Sequence, residues 1–138
     1  MILIDTNVVS EIMKPSPATS VLEWLNRRDT VLLYLSTITI AEIGYGLRIL
    51  PEGKRRQLLS ERFKGFVEKG FEQRILSFDE RSAYQYAEVM GHRKEIGRPL
   101  SIADGQIASI ARANEFIVAT RNVSDFDECG VKFTNPFE

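Results

Sequence analysis

Short apolar runs alternate along the chain with longer stretches in which apolar residues recur at helical spacing. The runs lie at residues 2–4, 31–35, 75–78 and 116–119. Branched and aliphatic residues between polar neighbours are typical of strands buried on both faces of a parallel sheet. The intervening stretches predict helices at about residues 7–13, 18–28, 38–50, 53–70, 80–96 and 101–113. This alternation predicts right-handed βαβ units and therefore an α/β fold whose sheet is covered by helices.

The length of the chain fits one domain that spans residues 1–138. A domain of this size can bury roughly two thirds of the surface that it exposes when unfolded. Hydrophobic residues make up 43% of the sequence and charged residues 27%, which is the composition of an ordinary globular protein. The net charge of -1 gives no overall attraction to nucleic acid. Binding of RNA would therefore need a local basic patch or a bridging metal ion.

Cys129 is the only cysteine and His92 the only histidine. The chain therefore cannot form an internal disulfide, which favours a cytoplasmic location, and it lacks the four Cys or His ligands of a structural zinc site. No apolar stretch has the length of a signal peptide or of a membrane span. We expect a soluble protein without a membrane partner, and we interpret His92 as a surface residue.

Four acidic residues stand where apolar segments give way to polar turns: Asp5, Glu42, Asp104 and Asp125. The carboxyl ends of parallel strands meet at one edge of a sheet, so residues far apart in sequence can face a shared crevice there. Carboxylate oxygens are the ligands that magnesium and manganese prefer. The sequence thus predicts an acidic metal site at this edge.

Helix capping is the alternative explanation for these acids. Thr39 to Glu42 and Ser101 to Asp104 both match the capping-box pattern. A cap contributes about 1 kcal/mol, whereas two carboxylates ~4 Å apart repel each other by about 4 kcal/mol at an effective dielectric constant near 20. Clustered acids would therefore have raised pKa values in the metal-free protein, and added metal would stabilise the fold.

Four motifs taken together resemble the PIN-domain ribonucleases: Met1 to Asn7, Ser36 to Glu42, Ser101 to Ala108 and Thr120 to Phe126. The resemblance is strongest to VapC-type toxins of type II toxin–antitoxin systems, in particular to their FitB-like branch. It implies a PIN-like three-layer sandwich, in which a mostly parallel sheet of four to five strands is flanked by helices. It also implies a divalent-metal-dependent endoribonuclease that uses Mg²⁺ or Mn²⁺.

The resemblance assigns metal ligation and water activation to Asp5, Glu42 and Asp104. In some relatives the fourth acid directly follows Thr-Arg, where this chain has Asn122. We therefore assign Asp125 as the fourth acid and Asn122 as a neutral oxygen ligand. Residues that could orient carboxylates, waters or substrate are Thr6, Asn7, Ser101 and Thr120, although turn and cap formation also explains them.

Arg121, next to the expected site, is the first candidate for a phosphate contact. Weaker candidates are Arg93, Lys94, Arg98 and Arg112, each of which is otherwise interpreted as solvated surface. The run Lys54-Arg55-Arg56 is interpreted mainly as a solvated helix face.

The resemblance also implies partners: an RNA substrate, a cognate VapB-like or FitA-like antitoxin, and a second toxin subunit in a homodimer. Direct DNA binding is not expected without the antitoxin. Gly44 and Gly46 fall inside a predicted helix, where close packing of another helix or of a partner chain would explain them. Two other functions remain open at this point. One is a binding module whose acidic pocket captures a basic peptide or RNA, and the other is a structure-specific DNA nuclease.

Overall fold

Five short strands form a central parallel sheet in the computed structural model, which describes residues 1–138. The strands are β1 (Ile2–Ile4), β2 (Leu33–Ser36), β3 (Ile75–Leu76), β4 (Ile117–Ala119) and β5 (Phe133–Thr134). The helices are α1 (Thr6–Ile12), α2 (Thr19–Asn26), α3 (Thr37–Arg48), α4 (Lys54–Gly70), α5 (Glu80–Glu95), α6 (Ile102–Asn114) and α7 (Val123–Phe126). The strand order is β3-β2-β1-β4-β5, and all neighbouring strands are parallel.

Helices cover both faces of the sheet, and each face has its own hydrophobic core. Successive residues of β1 point to opposite faces, so Ile4 packs in one core with residues of α1, α2 and α4, while Leu3 packs in the other with residues of α5, α6 and α7. Both side chains are fully buried. The predicted three-layer α/β sandwich with a parallel sheet is confirmed.

All six helices predicted from the sequence are present, with ends within two residues of the expected positions. The predicted strand at 31–35 begins later, because Thr30–Leu32 forms a 3₁₀ turn that Asp29 caps by accepting from the N–H of Val31 at 3.2 Å. Val31 is consequently 55% exposed instead of lying in the core. The strand expected at 75–78 contains only its first two residues.

Two short elements were not predicted, namely strand β5 and helix α7. Strand β5 has only two residues, and Phe133 is 39% exposed, so the segment is too short and too exposed to stand out as a buried strand. Its position comes from pairing with β4, in which Val118 lies opposite Phe133. Helix α7 has four residues, too few to show helical periodicity.

The exposed face of α3 differs from the expectation of close packing. Neither Gly44 nor Gly46 has an atom of the same chain near the position of an added Cβ, so packing of another helix of this chain on these glycines is wrong. Tyr45 and Ile49 on this helix are 68% and 62% exposed. A partner chain remains the available explanation for this face.

None of the helices has both the length and the apolar character that crossing a lipid bilayer requires.

Candidate active site

The carboxyl ends of β1, β2 and β4 lie together at one edge of the sheet. Ile4 and Ala119, the last residues of β1 and β4, are paired, so the residues that follow them are neighbours as well. The backbone N–H of Asp5 donates to the carbonyl oxygen of Ala119 at 2.9 Å. The hydroxyl of Thr120 donates to Oδ2 of Asp5 at 2.8 Å. This edge is therefore where Asp5 meets polar groups from the other end of the chain.

Asp5 is almost fully buried, with 3% of its surface exposed. Its Oδ1 accepts from the backbone N–H of Thr6 at 2.8 Å, and its Oδ2 accepts from Nδ2 of Asn7 at 3.1 Å. Burial is the main cause that raises the pKa of Asp5 to about 6; the charges of Asp104 and Glu42 act in the same direction, and its hydrogen bonds oppose them. Asp5 thus caps α1 and also lies among other acids, so the two interpretations of this residue are compatible.

Glu42 lies more than one turn inside α3, where it does not serve as a cap. The helix is capped by Ser36, whose Oγ accepts from the backbone N–H of Thr39 at 3.1 Å. The capping box expected for Thr39 and Glu42 is therefore wrong. Instead, the hydroxyl of Thr6 donates to Oε1 of Glu42 at 2.7 Å. This contact ties the carboxylate to the residue that follows Asp5.

Asp104 and Asp125 form the other half of the acidic site. Ser101 caps α6 by accepting from the backbone N–H of Asp104 at 3.2 Å, as the sequence predicted. Burial is the main cause that raises the pKa of Asp104, the charge of Asp125 adds to this effect, and Arg93 opposes it. Asp125 belongs to α7, and its N–H donates to the carbonyl oxygen of Asn122 at 3.0 Å.

Electrostatic interactions therefore join the four acids in series, from Glu42 through Asp5 and Asp104 to Asp125. Asn122 lies beside this series at the start of α7, where its backbone N–H donates to Oγ1 of Thr120 at 3.0 Å.

The acids fit a hard divalent cation by their chemistry, although they do not form a closed ligand shell. All are oxygen donors, which suits magnesium or manganese. The soft or borderline ligands contact other groups: Nε2 of His92 is 3.0 Å from Oε2 of Glu128, and the buried Sγ of Cys129 is 3.8 Å from Nη1 of Arg93. No three Asp, Glu, His or Cys side chains are grouped closely enough to hold an ion as they stand. The protein thus brings the predicted ligands to one edge without bringing three of them within coordination distance of one point.

Comparison with known proteins identifies the family. A profile of the PIN domain matches residues 2–131. The chain belongs to the PIN domain family. The VapC ribonuclease Y4jK of Sinorhizobium fredii is 42% identical over 138 residues, which cover 100% of this chain and 99% of that protein. Toxin FitB of Neisseria gonorrhoeae is 39% identical over 137 residues, 99% of each protein. A solved structure of FitAB bound to the IR36 DNA fragment is similar with a TM-score of 0.94 and 39% identity, over 100% of this chain and 96% of that one. The resemblance drawn from the four motifs is confirmed.

Arg121 is held beside the acidic site of this PIN domain by three contacts. Its backbone N–H donates to Oδ1 of Asn7 at 3.1 Å. Its guanidinium lies 3.8 Å from the centre of the Phe137 ring, and Nη2 is 3.9 Å from Oε1 of Glu11. Glu11 is itself 6% exposed and accepts from Nζ of Lys14 at 2.9 Å. Arg121 is therefore an oriented cation at the rim of the site.

The weaker basic candidates lie in different surroundings. Arg93 is 3% exposed, so the expectation that it is surface or contacts substrate is wrong. Arg98 forms an ion pair with Asp127 at 3.1 Å. Arg112 lies in the last turn of α6, at the opposite end of that helix from Asp104, and packs against Gly130; it is not part of the site. Lys94 is exposed on α5.

A groove of ≈ 360 Å³ adjoins the acidic site of the PIN domain between α1, α3 and α4. Thr6 and Glu42 lie in its wall together with Arg55 and Lys14. The remaining wall residues are Ser10, Met13, Pro15, Ile43, Gly46, Leu47 and Leu59. Arg55, interpreted mainly as solvated surface, is exposed and also lines this groove.

Thr120 provides a test of how Asp5 is held. The Thr120→Val substitution keeps the shape of this fully buried side chain and removes the hydroxyl that donates to Asp5. Loss of the donor should raise the pKa of Asp5 further, because that hydrogen bond lowers it. We expect metal-dependent activity to fall by about 10- to 100-fold, the range typical of groups that support a ligand. Assays across pH should show the acidic limb of the activity profile displaced to higher pH; an unchanged profile would contradict the role of Thr120.

Three contributors to the site were not found from the sequence. Ser36 rather than Thr39 begins the third helix, although a serine directly after an apolar run is a recognisable capping signal. Phe137 and Glu11 hold Arg121 from distant parts of the chain. No local pattern could have revealed these two contacts, because they depend on how segments far apart in sequence pack together.

Proposed function

We propose that this PIN domain is the toxin of a type II toxin–antitoxin module and that it hydrolyses RNA phosphodiester bonds with the help of a divalent metal ion. The observation that carries the proposal is the series of four acids at one sheet edge, two of them with raised pKa values. Similarity over the whole chain to a VapC ribonuclease supports the same activity.

The ligands proposed for Mg²⁺ or Mn²⁺ are Asp5, Glu42, Asp104 and Asp125, with Asn122 as a neutral oxygen donor. Such an ion, when bound, supplies Lewis-acid stabilisation of charge on the phosphodiester and lowers the pKa of water to the range where hydroxide forms. The protein contributes orientation. Thr120 and Asn7 fix one oxygen of the Asp5 carboxylate, and Thr6 fixes both Asp5 and Glu42.

The basic side chain at the rim gives the substrate a place to bind. A phosphodiester is repelled by ionised carboxylates, so a nearby cation is needed besides the metal. Arg121 has this role in our proposal, because its contacts with Phe137 and Glu11 limit the freedom that it would otherwise lose on binding. In-line attack of water at phosphorus would leave 5'-phosphate and 3'-hydroxyl ends. Products with 2',3'-cyclic phosphate ends would contradict this mechanism.

The decisive experiment compares cleavage of mixed RNA with and without manganese, using the wild type and Asp104→Asn. A matched control is Asp29→Asn, which changes an exposed cap remote from the acids. We expect manganese-dependent cleavage by the wild type and the control only. Equal activity of Asp104→Asn would contradict the proposed role of Asp104, and activity that also survives Asp5→Asn would reveal a contaminating nuclease. DNA of the same sequence tests the alternative of a DNA nuclease.

One observation favours a second candidate function. The acids do not lie close enough together to coordinate one metal ion as they stand. A binding module that uses them to capture a basic peptide would need no metal. This candidate predicts no cleavage under any metal condition. It also predicts tight binding of arginine-rich peptides that Asp104→Asn weakens.

We further propose that a cognate VapB-like or FitA-like antitoxin binds this protein along the groove beside Glu42, and that two toxin subunits pair through surfaces that include the exposed face of α3. The apolar and basic walls of the groove suit a peptide segment, and Tyr45 and Ile49 are large apolar groups without cover. The similarity to the solved structure of FitAB bound to a DNA fragment supports an antitoxin partner. Light scattering of the chain alone and with its antitoxin tests both proposals. A monomeric mass for the chain alone would contradict the pairing of two subunits, and the absence of a larger species with the antitoxin would contradict the complex. This role places the protein in the cytoplasm.

A further inference from the structure

Arg93 is the one buried arginine of the chain, and it lies on α5, a helix that carries none of the four acids. Its guanidinium has no salt bridge with a carboxylate within 4.0 Å. A buried cation is unfavourable unless hydrogen bonds replace the water that it has lost. The partners of Arg93 should therefore indicate why the charge is tolerated there.

Those partners are backbone carbonyl oxygens from two segments. Nε donates to the carbonyl of Arg98 at 2.6 Å, in the turn that leads into α6. Nη1 lies 3.1 Å from the carbonyl oxygen of Ser124, 3.3 Å from that of Asp125 and 2.6 Å from that of Asp127. A helix as short as α7 leaves its last carbonyl groups without intrahelical partners, so the guanidinium caps the end of α7.

The two segments joined by Arg93 each carry an acid of the site. The turn at Arg98 precedes the first turn of α6 with Asp104, and α7 contains Asp125. Arg93 thus links the segment that carries Asp125 to the turn that leads to Asp104.

We propose that Arg93 is a positioning residue that holds α7 against the start of α6 and so sets the separation of Asp125 and Asp104. This inference rests on the proposed function, in which both acids belong to the metal site. Arg98 supports the same segment from the surface by donating to the Ser124 carbonyl at 3.0 Å and pairing with Asp127.

The local part of the proposal is tested without metal or substrate. Arg93→Met keeps the aliphatic part of the side chain and removes its donors, and Arg98→Met is the matched control on the partly exposed neighbour. We expect amide hydrogen exchange of residues 122–129 to become at least about tenfold faster in Arg93→Met. In Arg98→Met we expect the exchange of these residues to become faster by about threefold at most. Exchange in β1 and α3 should not change in either variant. Equal exchange of residues 122–129 in the wild type and Arg93→Met would overturn the proposal.

The functional part is tested by a double-mutant cycle with Asp125→Asn. If Arg93 acts through Asp125, Arg93→Met should lower kcat about 10- to 100-fold in the wild type with little change in KM. In the Asp125→Asn background it should lower kcat by less than about threefold. Arg93→Lys should recover part of the loss. Additive effects would show that Arg93 serves only general stability and would overturn the proposal.

Two further controls keep the outcomes distinct. If circular dichroism shows that Arg93→Met does not fold, Arg93→Lys replaces it in both experiments, with the same segment expected to exchange faster and the same lack of additivity. If the wild type cleaves no RNA with manganese, the ribonuclease proposal fails, and hydrogen exchange alone then decides whether Arg93 holds α7.

Discussion

Replacing Asp5 by asparagine is expected to remove metal-dependent cleavage while it makes the metal-free protein more stable. Both effects follow from the same burial. Asp5 is 3% exposed and has a pKa of about 6, so at pH 7 the folded protein holds a buried carboxylate that would be easier to ionise in the unfolded chain. The rise from 3.8 to about 6 corresponds to a destabilisation of about 3 kcal/mol at pH 7.

Asparagine removes the charge and keeps the shape, but it does not recover the whole of this free energy. Its oxygen can still accept from the Thr6 N–H, and its amide can donate to Thr120 once that hydroxyl turns. The amide would, however, face Nδ2 of Asn7, which now donates to Asp5 at 3.1 Å. Two amide donors that face each other without an acceptor offset part of the stability that is gained by removing the buried charge. We therefore expect Asp5→Asn to unfold with a free energy about 1–2 kcal/mol higher than the wild type at pH 7.

The loss of activity should exceed about 100-fold, because Asp5 is a direct metal ligand in the proposed function rather than a group that supports one. Urea unfolding with EDTA present and cleavage assays with manganese measure the two effects. Asp29→Asn is the control and should change neither. An acid that serves only as the cap of α1 would give a different pattern, in which Asp5→Asn keeps its activity because asparagine can cap the helix equally well.

The sequence predicted the elements of the fold where the apolar pattern was long enough to show a period. The six long helices each present several apolar residues at helical spacing, so their ends were found within two residues. Strand β5 and helix α7 are too short for any period, and their positions depend on pairing with β4 and on Arg93. Val31 was misassigned because an apolar residue before a strand looks like part of it, while the Asp29 cap turns the chain.

The site was predictable as far as topology determines it. Parallel strands carry Asp5 and the residues after β2 and β4 to one edge whatever the details of packing, so the gathering of acids there follows from the alternation of elements. The contacts between side chains could not be predicted from the topology. The bond from Thr6 to Glu42 depends on where α3 begins, and the burial of Arg93 depends on a turn formed some thirty residues later.

Metal-free wild-type protein is expected to become more stable as the pH falls from 7 to 5, by about 1 kcal/mol from Asp5 alone. An acid whose pKa is higher in the folded state than in the unfolded state binds its proton more tightly when folded. The cost of ionising Asp5 is therefore complete above pH 6 and is relieved as the pH falls from about 6 towards 3.8. Asp104, whose pKa is also raised, acts in the same direction.

The groups with lowered pKa values act at lower pH. Hydrogen bonds from Lys14 and Ser82 are the main causes that lower the pKa of Glu11 and Asp79. The stability that these two acids contribute is present above their unfolded pKa values of 4.5 and 3.8 and is lost below them. The range from pH 5 to pH 7 is thus governed by the raised acids, and stability should pass through a maximum between pH 4 and 5, which is below the usual range.

Magnesium should reverse this dependence, because it binds the ionised carboxylates and competes with the proton. At one hundred times the dissociation constant an ion that binds only the folded protein adds about 2.7 kcal/mol, which corresponds to several degrees in Tm for a chain of this size. We expect the increase in Tm to be large at pH 7.5 and small at pH 5. Thermal melts at both pH values, with magnesium or EDTA, measure it. Asp5→Asn should show a smaller slope with pH, the part due to Asp104, and no increase in Tm with magnesium. An equal increase in Tm with magnesium at both pH values would show that the ion binds at a site that does not include Asp5.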